Sequence, residues 1–308
     1  MCVLFLLEIY LFVVGLDWRG NMASTPRGSL LFALALLCFL SGGPRRAEPA
    51  RVFTIINQCK TTIWPAASPG DSFGGGGFAL RPGQSMVFTT PVGGWSGRIW
   101  GRTGCNFDAS GNGSCETGSC GTKLKCGASG EPPASLAEFT LAARDFYDVS
   151  LVDGFNLPMV VKPVNGEGNC SAAGCDGDLR ENCPSELAVK VNGRTVACRS
   201  ACDVFDTDQY CCRGQFGNPS TCHPTFYSKK FKAVCPTAYS YAYDDPTSIF
   251  TCSNADYIIT FCSNRNQSMC SYHKNRLICS GSSRSWPIMS ILMLVLLFSL
   301  SSLQFSVL

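Results

Sequence analysis

The sequence predicts a mainly β protein: a sandwich or barrel of short strands with a disulfide-rich loop and helix subdomain towards its C-terminal half. Three observations predict it. Short runs rich in β-branched and aromatic residues recur through the first part, separated by Gly and Pro clusters such as SPGDSFGGGG (68–77), which is the pattern of a sandwich or barrel. No helix-period run of convincing length precedes residue 180. Finally, 20 cysteines stand in 308 residues, and their density rises between 170 and 235 while apolar density falls.

The chain begins with an apolar run, MCVLFLLEIYLFVVGL (1–16), broken by Glu8. It is short for a bilayer span of about 20 residues, and it reads as an extension upstream of a signal sequence that starts at Met22. The stretch SLLFALALLCFLSGG (29–43) has the composition of a signal-peptide core, with Arg27 before it and small residues after. Residues 1–50 therefore form an N-terminal extension and signal peptide, residues 51–263 the folded domain, 264–285 a linker and 286–308 a hydrophobic tail. Within the domain, RVFTIINQ (51–58), QSMVFTT (84–90), SGRIWGR (96–102) and FYDVSLVDG (146–154) are expected strands. PSELAVKV (184–191), with Pro184 at a first turn, is expected to open a helix. The stapled subdomain is expected at about 170–250.

Secretion decides how the cysteines are read. In GNGSCETGSCGTKLKC (111–126) the spacing of Cys115, Cys120 and Cys126 lacks the C-x2-C pairing of most zinc sites, and the chain has only two histidines, His223 and His273. In an oxidising lumen the eighteen cysteines beyond the signal region are staples. The adjacent pair Cys211–Cys212 fits two separate partners better than one strained bridge. No metal, cofactor or free thiol is expected. His223 reads as a loop histidine, and the GGGG run (74–77) precedes no helix and is no phosphate cradle.

The net charge of +3 belongs to the flanks. From Cys59 to Cys262 there are 16 Lys and Arg against 19 Asp and Glu. A slightly acidic domain has no electrostatic footprint for nucleic acid, and that class of partner is set aside. Two carboxylates draw attention in FYDVSLVDGFN: Asp148 and Asp153 are five apart and would face opposite ways on one strand. They can share a cleft only if Asp153 lies beyond the strand's end, and Asp153-Gly154 is a natural turn dipeptide.

The segment 111–126 resembles the signature of thaumatin-like proteins, the pathogenesis-related group 5 family of plants. RIWGRTGCNFD (98–108), LAEFTL (136–141), FYDVSLVDGFNLPM (146–159), CPSELAVK (183–190), QYCCRG (209–214) and FYSKKFKAVCPTAYSYAYDDPTSIFTC (226–252) match in order, together covering essentially 52–262. The family domain carries sixteen cysteines, as does this chain from Cys59 to Cys262. One departure is Ser119, where the family usually has Asp; a serine can make the same local turn bond more weakly. The resemblance implies the flattened thaumatin-type β-sandwich and the pairs Cys59–Cys262, Cys105–Cys115, Cys120–Cys126, Cys170–Cys252, Cys175–Cys235, Cys183–Cys198, Cys202–Cys211 and Cys212–Cys222. Cys270 and Cys279 remain for a ninth, local bridge.

The resemblance also implies an acidic cleft built from Arg98, Glu138, Asp148, Asp153 and Asp245, in a defence-type protein with affinity for β-1,3-glucan of fungal cell walls. Clustered carboxylates repel, so one pKa rises while others stay ionised. Such a pair, Glu138 and Asp153, could serve an endo-β-1,3-glucanase. Binding without efficient turnover is the expectation carried forward, with the glucanase and a protein-interaction ectodomain as alternatives. Three N-x-S sequons, at Asn112, Asn169 and Asn266, are candidate glycosylation sites. The tail 286–308 is apolar and uncharged, with Arg276 and Arg284 before it and no basic residue after it. It therefore reads as a glycosylphosphatidylinositol-anchor signal in preference to a retained span. A monomer on the outer face of the plasma membrane or in the apoplast is expected.

Overall fold

The computed structural model describes residues 50–273 and 276–279. The expected signal peptide, the upstream extension and the hydrophobic tail lie outside the described residues. Among those described, no helix is long and apolar enough to cross a membrane.

The strands run β1 (Val52–Asn57), β2 (Trp64–Ser68), β3 (Ser85–Thr89), β4 (Trp95–Arg102), β5 (Asn106–Phe107), β6 (Gly113–Ser114), β7 (Leu136–Leu141) and β8 (Asp145–Ser150). They continue as β9 (Met159–Val164), β10 (Ala173–Gly174), β11 (Ala188–Val191), β12 (Arg194–Cys198), β13 (Phe250–Cys252), β14 (Asp256–Phe261), β15 (Cys270–His273) and β16 (Arg276–Cys279). Two five-stranded sheets form, in the orders β10-β9-β14-β1-β3 and β13-β8-β7-β4-β2. β1 and β14, the two ends of the domain, pair in parallel, and the other pairings within these two sheets are antiparallel.

Alternation along the strands builds the core. Phe53 and Ile55 of β1, Val161 of β9 and Tyr257, Ile259 and Phe261 of β14 pack with Ile99, Ala137, Phe139, Tyr147 and Val149 of the other sheet. Phe53 meets Phe139 edge-on at 4.9 Å and stacks on Tyr257 at 5.4 Å, the offset arrangements that aromatic quadrupoles favour. At the margin of this core, Arg51 donates to Asp145 at 2.9 Å, and Tyr257 donates its hydroxyl hydrogen to the same carboxylate at 2.9 Å. A buried ion is tolerable only when its lone pairs are satisfied in this way.

The loop that carries Cys115, Cys120 and Cys126 folds back over the outside of the second sheet. Trp100 and Leu136 pack there with Ala66, Ala134 and Cys126, and Trp100 Nε1 donates to Gly118 O at 2.8 Å. Arg102, fully buried, reaches the carbonyls of Trp64, Lys123 and Leu124. Burial without a carboxylate partner lowers its pKa to about 10.

The disulfides join Cys59–Cys262, Cys105–Cys115, Cys120–Cys126, Cys170–Cys252, Cys175–Cys235, Cys183–Cys198, Cys202–Cys211, Cys212–Cys222 and Cys270–Cys279. The first eight are the pairs that the resemblance implies, and the ninth is the local bridge. The α-helices among the described residues are α1 (Ala201–Phe205), α2 (Asp208–Cys211), α3 (Phe226–Val234) and α4 (Asp245–Ser248), all inside the stapled region. A capping box starts α3: Thr225 accepts from Ser228 N while Ser228 Oγ accepts from Thr225 N.

The expected helix at 184–191 is not one. After a turn closed by Leu187 N to Pro184 O at 2.9 Å, residues Ala188–Val191 are β11, paired with β12. The reason is local: Asn192 (φ 50°) and Gly193 (φ 77°) form a two-residue turn with both residues left-handed. This is the hairpin geometry Asn-Gly favours, and β-branched Val189 and Val191 flank it.

Candidate functional site

A charged row crosses the outer face of the second sheet. Ser68 of β2 lies in register with Arg98 of β4, Arg98 with Glu138 of β7, and Glu138 with Asp148 of β8. Register partners in a pleated sheet share a face. These residues alternate with Ile99, Ala137, Phe139, Tyr147 and Val149, which face the core, so the row must point outward. Arg98 Nε meets Glu138 Oε1 at 2.7 Å with both side chains partly exposed.

Asp148 is placed differently. Its Oδ1 is buried and has no hydrogen-bond partner. Burial foremost, then the charges of Glu138 and Asp245, raise its pKa to about 8 against the lowering effect of Arg98. At neutral pH this carboxyl is largely protonated, a hydrogen-bond donor among acceptors.

Asp245 arrives from the stapled region, as the first residue of α4. Tyr239 donates to its Oδ1 at 3.0 Å. Tyr239 itself is clipped to the end of β8, donating N–H to Val149 O at 2.8 Å and accepting from Leu151 N at 2.9 Å. Burial and the bond to Asp245 raise the Tyr239 pKa; burial and the charges of Asp244 and Asp245 raise that of Tyr241. Both phenols therefore stay protonated donors.

Behind Asp245 lies a clamp. Lys232 of α3 donates to Asp244 Oδ2, Ser248 Oγ and Ala238 O at 2.8, 2.8 and 2.9 Å. Asp244 Oδ2 also accepts from Ser240 N and Ser240 Oγ. One ammonium thereby ties both ends of the 238–248 loop to α3.

Asp153 sits beyond the end of β8, in the turn closed by Gly154 N to Leu151 O at 3.0 Å. Gly154 needs its freedom there: φ is +92° and a Cβ would lie 2.8 Å from Cys198 O. The backbone carbonyl of Asp153 accepts from Ala134 N. Its side chain is half-buried and is not among the charges that act on Asp148. Contact, register or charge thus links Arg98, Glu138, Asp148 and Asp245. Tyr239, Asp244 and Lys232 are additions that the sequence pattern does not single out; the dense polar run YSYAYDD (239–245) is the available signal. Among the described residues, no group of three or more His, Cys, Asp or Glu is placed to hold a metal ion. His223 is exposed in a loop and borders a hollow with Tyr210, Tyr227 and Phe231. Of the sequons, Asn112 and Asn169 engage local polar partners, and Asn266 is exposed.

What the arrangement can do chemically is to offer a partly exposed guanidinium–carboxylate pair, a protonated carboxyl, and a second carboxylate bonded to the Tyr239 phenol. That set both donates and accepts hydrogen bonds, as recognition of polyhydroxylated ligands requires.

Comparison with known proteins places these features in context. The Thaumatin family model matches residues 57–263. A pathogenesis-related thaumatin-like protein 3.5 of Cryptomeria japonica is 56% identical over 238 residues, covering 76% of this chain and 98% of that protein. Pathogenesis-related protein 5 of Arabidopsis thaliana is 54% identical over 234 residues, covering 74% and 96% respectively. Among solved structures, a thaumatin-like xylanase inhibitor is 30% identical, with a TM-score of 0.39 over 68% of this chain and 98% of that one.

Proposed function

We propose a function from one premise: the chain belongs to the thaumatin family. On that premise it is a defence-type protein of the extracellular side that binds β-1,3-glucan through the row Arg98–Glu138–Asp148 with Asp245. Relatives whose names call them pathogenesis-related support the defence role. Nine disulfides among the described residues support folding in the oxidising secretory pathway.

The observation that carries the glucan reading is the register that sets Arg98, Glu138 and Asp148 side by side on the outer face, with the Arg98–Glu138 pair partly exposed. A partly exposed guanidinium beside a partly exposed carboxylate both donates to and accepts from sugar hydroxyls. Binding is favoured over turnover because Glu138, the acid a glucanase would use, is engaged by Arg98. No cofactor enters this reading, and the protein acts as a monomer. The apolar, uncharged segment 286–308 supports attachment to the outer plasma membrane through a glycosylphosphatidylinositol anchor.

The test is pulldown on insoluble β-1,3-glucan with reducing-sugar release measured in parallel, for the wild type and Glu138→Gln. Binding that weakens in the variant, with no sugar released by either protein, is the expected result. Turnover abolished by the substitution overturns it in favour of an endo-β-1,3-glucanase. A wild type that neither binds nor hydrolyses leaves a protein-interaction ectodomain. Release from intact cells by phosphatidylinositol-specific phospholipase C tests the anchor.

A further inference from the structure

The stapled region carries a hollow whose wall is unlike its surroundings. It opens among α1, α2, the start of α3 and the loop that follows α3. Asp203, Asp208, Lys229 and Lys230 are exposed on these same segments, yet no Asp, Glu, Lys or Arg lines the hollow. Its wall is made of the rings of Tyr210, Tyr227, Phe231 and Tyr241 together with Gln209 and His223. The rings are fixed in place by the protein itself. Tyr227 stacks on Phe205 at 5.3 Å, meets Tyr210 edge-on at 5.6 Å and donates its hydroxyl hydrogen to Glu186 at 2.7 Å. Among the described residues, none hydrogen-bonds the hydroxyls of Tyr210 and Tyr241, the Gln209 side-chain amide or the His223 ring.

The hollow adjoins the charged row. Val152, just beyond the end of β8, belongs to its wall, and so does Tyr241. Tyr239 bonds Asp245 of the row, and Tyr241 follows in the same loop. Burial, then the charges of Asp244 and Asp245, raise the Tyr241 pKa, so this phenol is a donor within electrostatic reach of Asp245. The hollow takes about 60 Å³, room for roughly four waters. That suits one edge of a sugar ring with its hydroxyls.

We propose that the hollow is a second subsite for the same polysaccharide, taking the edge of one neutral sugar unit of a chain whose other units lie along Arg98, Glu138 and Asp245. The proposal rests on the β-1,3-glucan reading. Its chemistry is complementary. An uncharged wall meets an uncharged ligand, ring faces cover the C–H faces of the sugar, and two phenols, an amide and an imidazole take its hydroxyls. A phosphate or a charged peptide side chain finds no counter-charge there. A ligand that engages both places gains by linkage, since its second contact forms at high effective concentration.

The chain has only two histidines, His223 and His273, and the first makes the hollow observable. The full-length protein, in detergent micelles, is titrated with a β-1,3-linked glucose hexasaccharide while the imidazole C–H resonances are followed by NMR. His273→Gln identifies the His223 signal. The expected result is a saturating shift of that signal, with a dissociation constant that rises severalfold in Glu138→Gln and in the double variant Gln209→Ala, Tyr210→Phe. A His223 shift whose affinity is the same in Glu138→Gln makes the hollow a separate site and overturns the spanning ligand. An affinity unchanged in the double variant overturns the contact. Pulldown on insoluble β-1,3-glucan runs beside the titration. Protein retained on glucan with an unmoved His223 signal leaves the hollow to a partner's apolar side chain or to water; the glucan reading stands and this proposal falls. Protein that is not retained takes down the glucan reading, and the proposal with it.

Discussion

Glu138 and Asp148 face each other in register on adjacent antiparallel strands, yet the guanidinium of Arg98 is bonded to Glu138. The consequence is two unlike carboxyl groups side by side: one in a partly exposed ion pair, the other half-buried with one oxygen shut off and unpartnered and its pKa raised from 3.8 to about 8. The different environments of two adjacent acids give the site its chemical character.

That raised pKa makes stability depend on pH. Between about 4 and 8 the folded chain keeps a proton on Asp148 that the unfolded chain has released, so this group's contribution to stability declines as pH rises through that window and levels off above about 8. Urea unfolding from pH 5 to pH 9 should show this decline. In Asp148→Asn, which cannot ionise, the decline should be shallower and the variant should exceed the wild type at pH 9. An unchanged slope in the variant places the titrating group elsewhere.

Lys232 is expected to matter to a site it does not touch. Its side chain is 24% and that of Asp244 12% exposed, so Lys232→Met should cost about 2–3 kcal/mol, somewhat below the loss for a fully buried pair. Freed from α3, the 238–248 loop should also let Asp245 drift, weakening glucan binding. Lys232→Arg should recover part of both. Lost stability with glucan affinity unchanged would separate the clamp from the site.

Removing Arg51 should be more damaging to the fold and neutral to the ligand. Asp145 is fully buried beneath it, and Arg51→Met leaves that carboxylate with the Tyr257 hydroxyl and the Ala142 N–H. A loss of about 3–5 kcal/mol is expected in denaturant unfolding. Arg51→Met combined with Asp145→Asn should regain a good part of it.

The disulfides should differ in weight by the loops they close. Cys59–Cys262 spans 203 residues and Cys120–Cys126 only 6. Chain entropy then assigns about 5 kcal/mol to the first and about 2 kcal/mol to the second. Replacing each pair by alanines and comparing denaturant midpoints checks the order; equal losses would mean that the unfolded chain is already compact.

Part of the fold is legible in the linear pattern of residues. RVFTIINQ, FYDVSLVDG and SGRIWGR mark strands through their β-branched and aromatic residues, a preference written in the local sequence. The Asp153-Gly154 turn is legible for the same local reason. The hairpin at Ala188–Cys198 is locally written too, in Asn192-Gly193, but the helix-like start at Pro184 conceals it.

The residues of FYDVSLVDG by themselves determined that Asp148 and Asp153 would face opposite ways on one straight strand, and the cysteine count with its missing C-x2-C spacing determined that these sulfurs are staples. Both follow from local geometry and bonding. Only the tertiary structure decided that Arg98, Glu138 and Asp148 fall in one row, since register between strands forty residues apart depends on the packing of the whole sheet. It alone decided that Asp148 is the carboxyl of the group whose pKa desolvation raises, because desolvation is a property of what surrounds a side chain and not of its neighbours in the chain. And it alone decided that Met269 closes on the sheet opposite the row, a matter of which apolar face, Ile56, Val164 and Ile258, remained to be covered once the sandwich had formed.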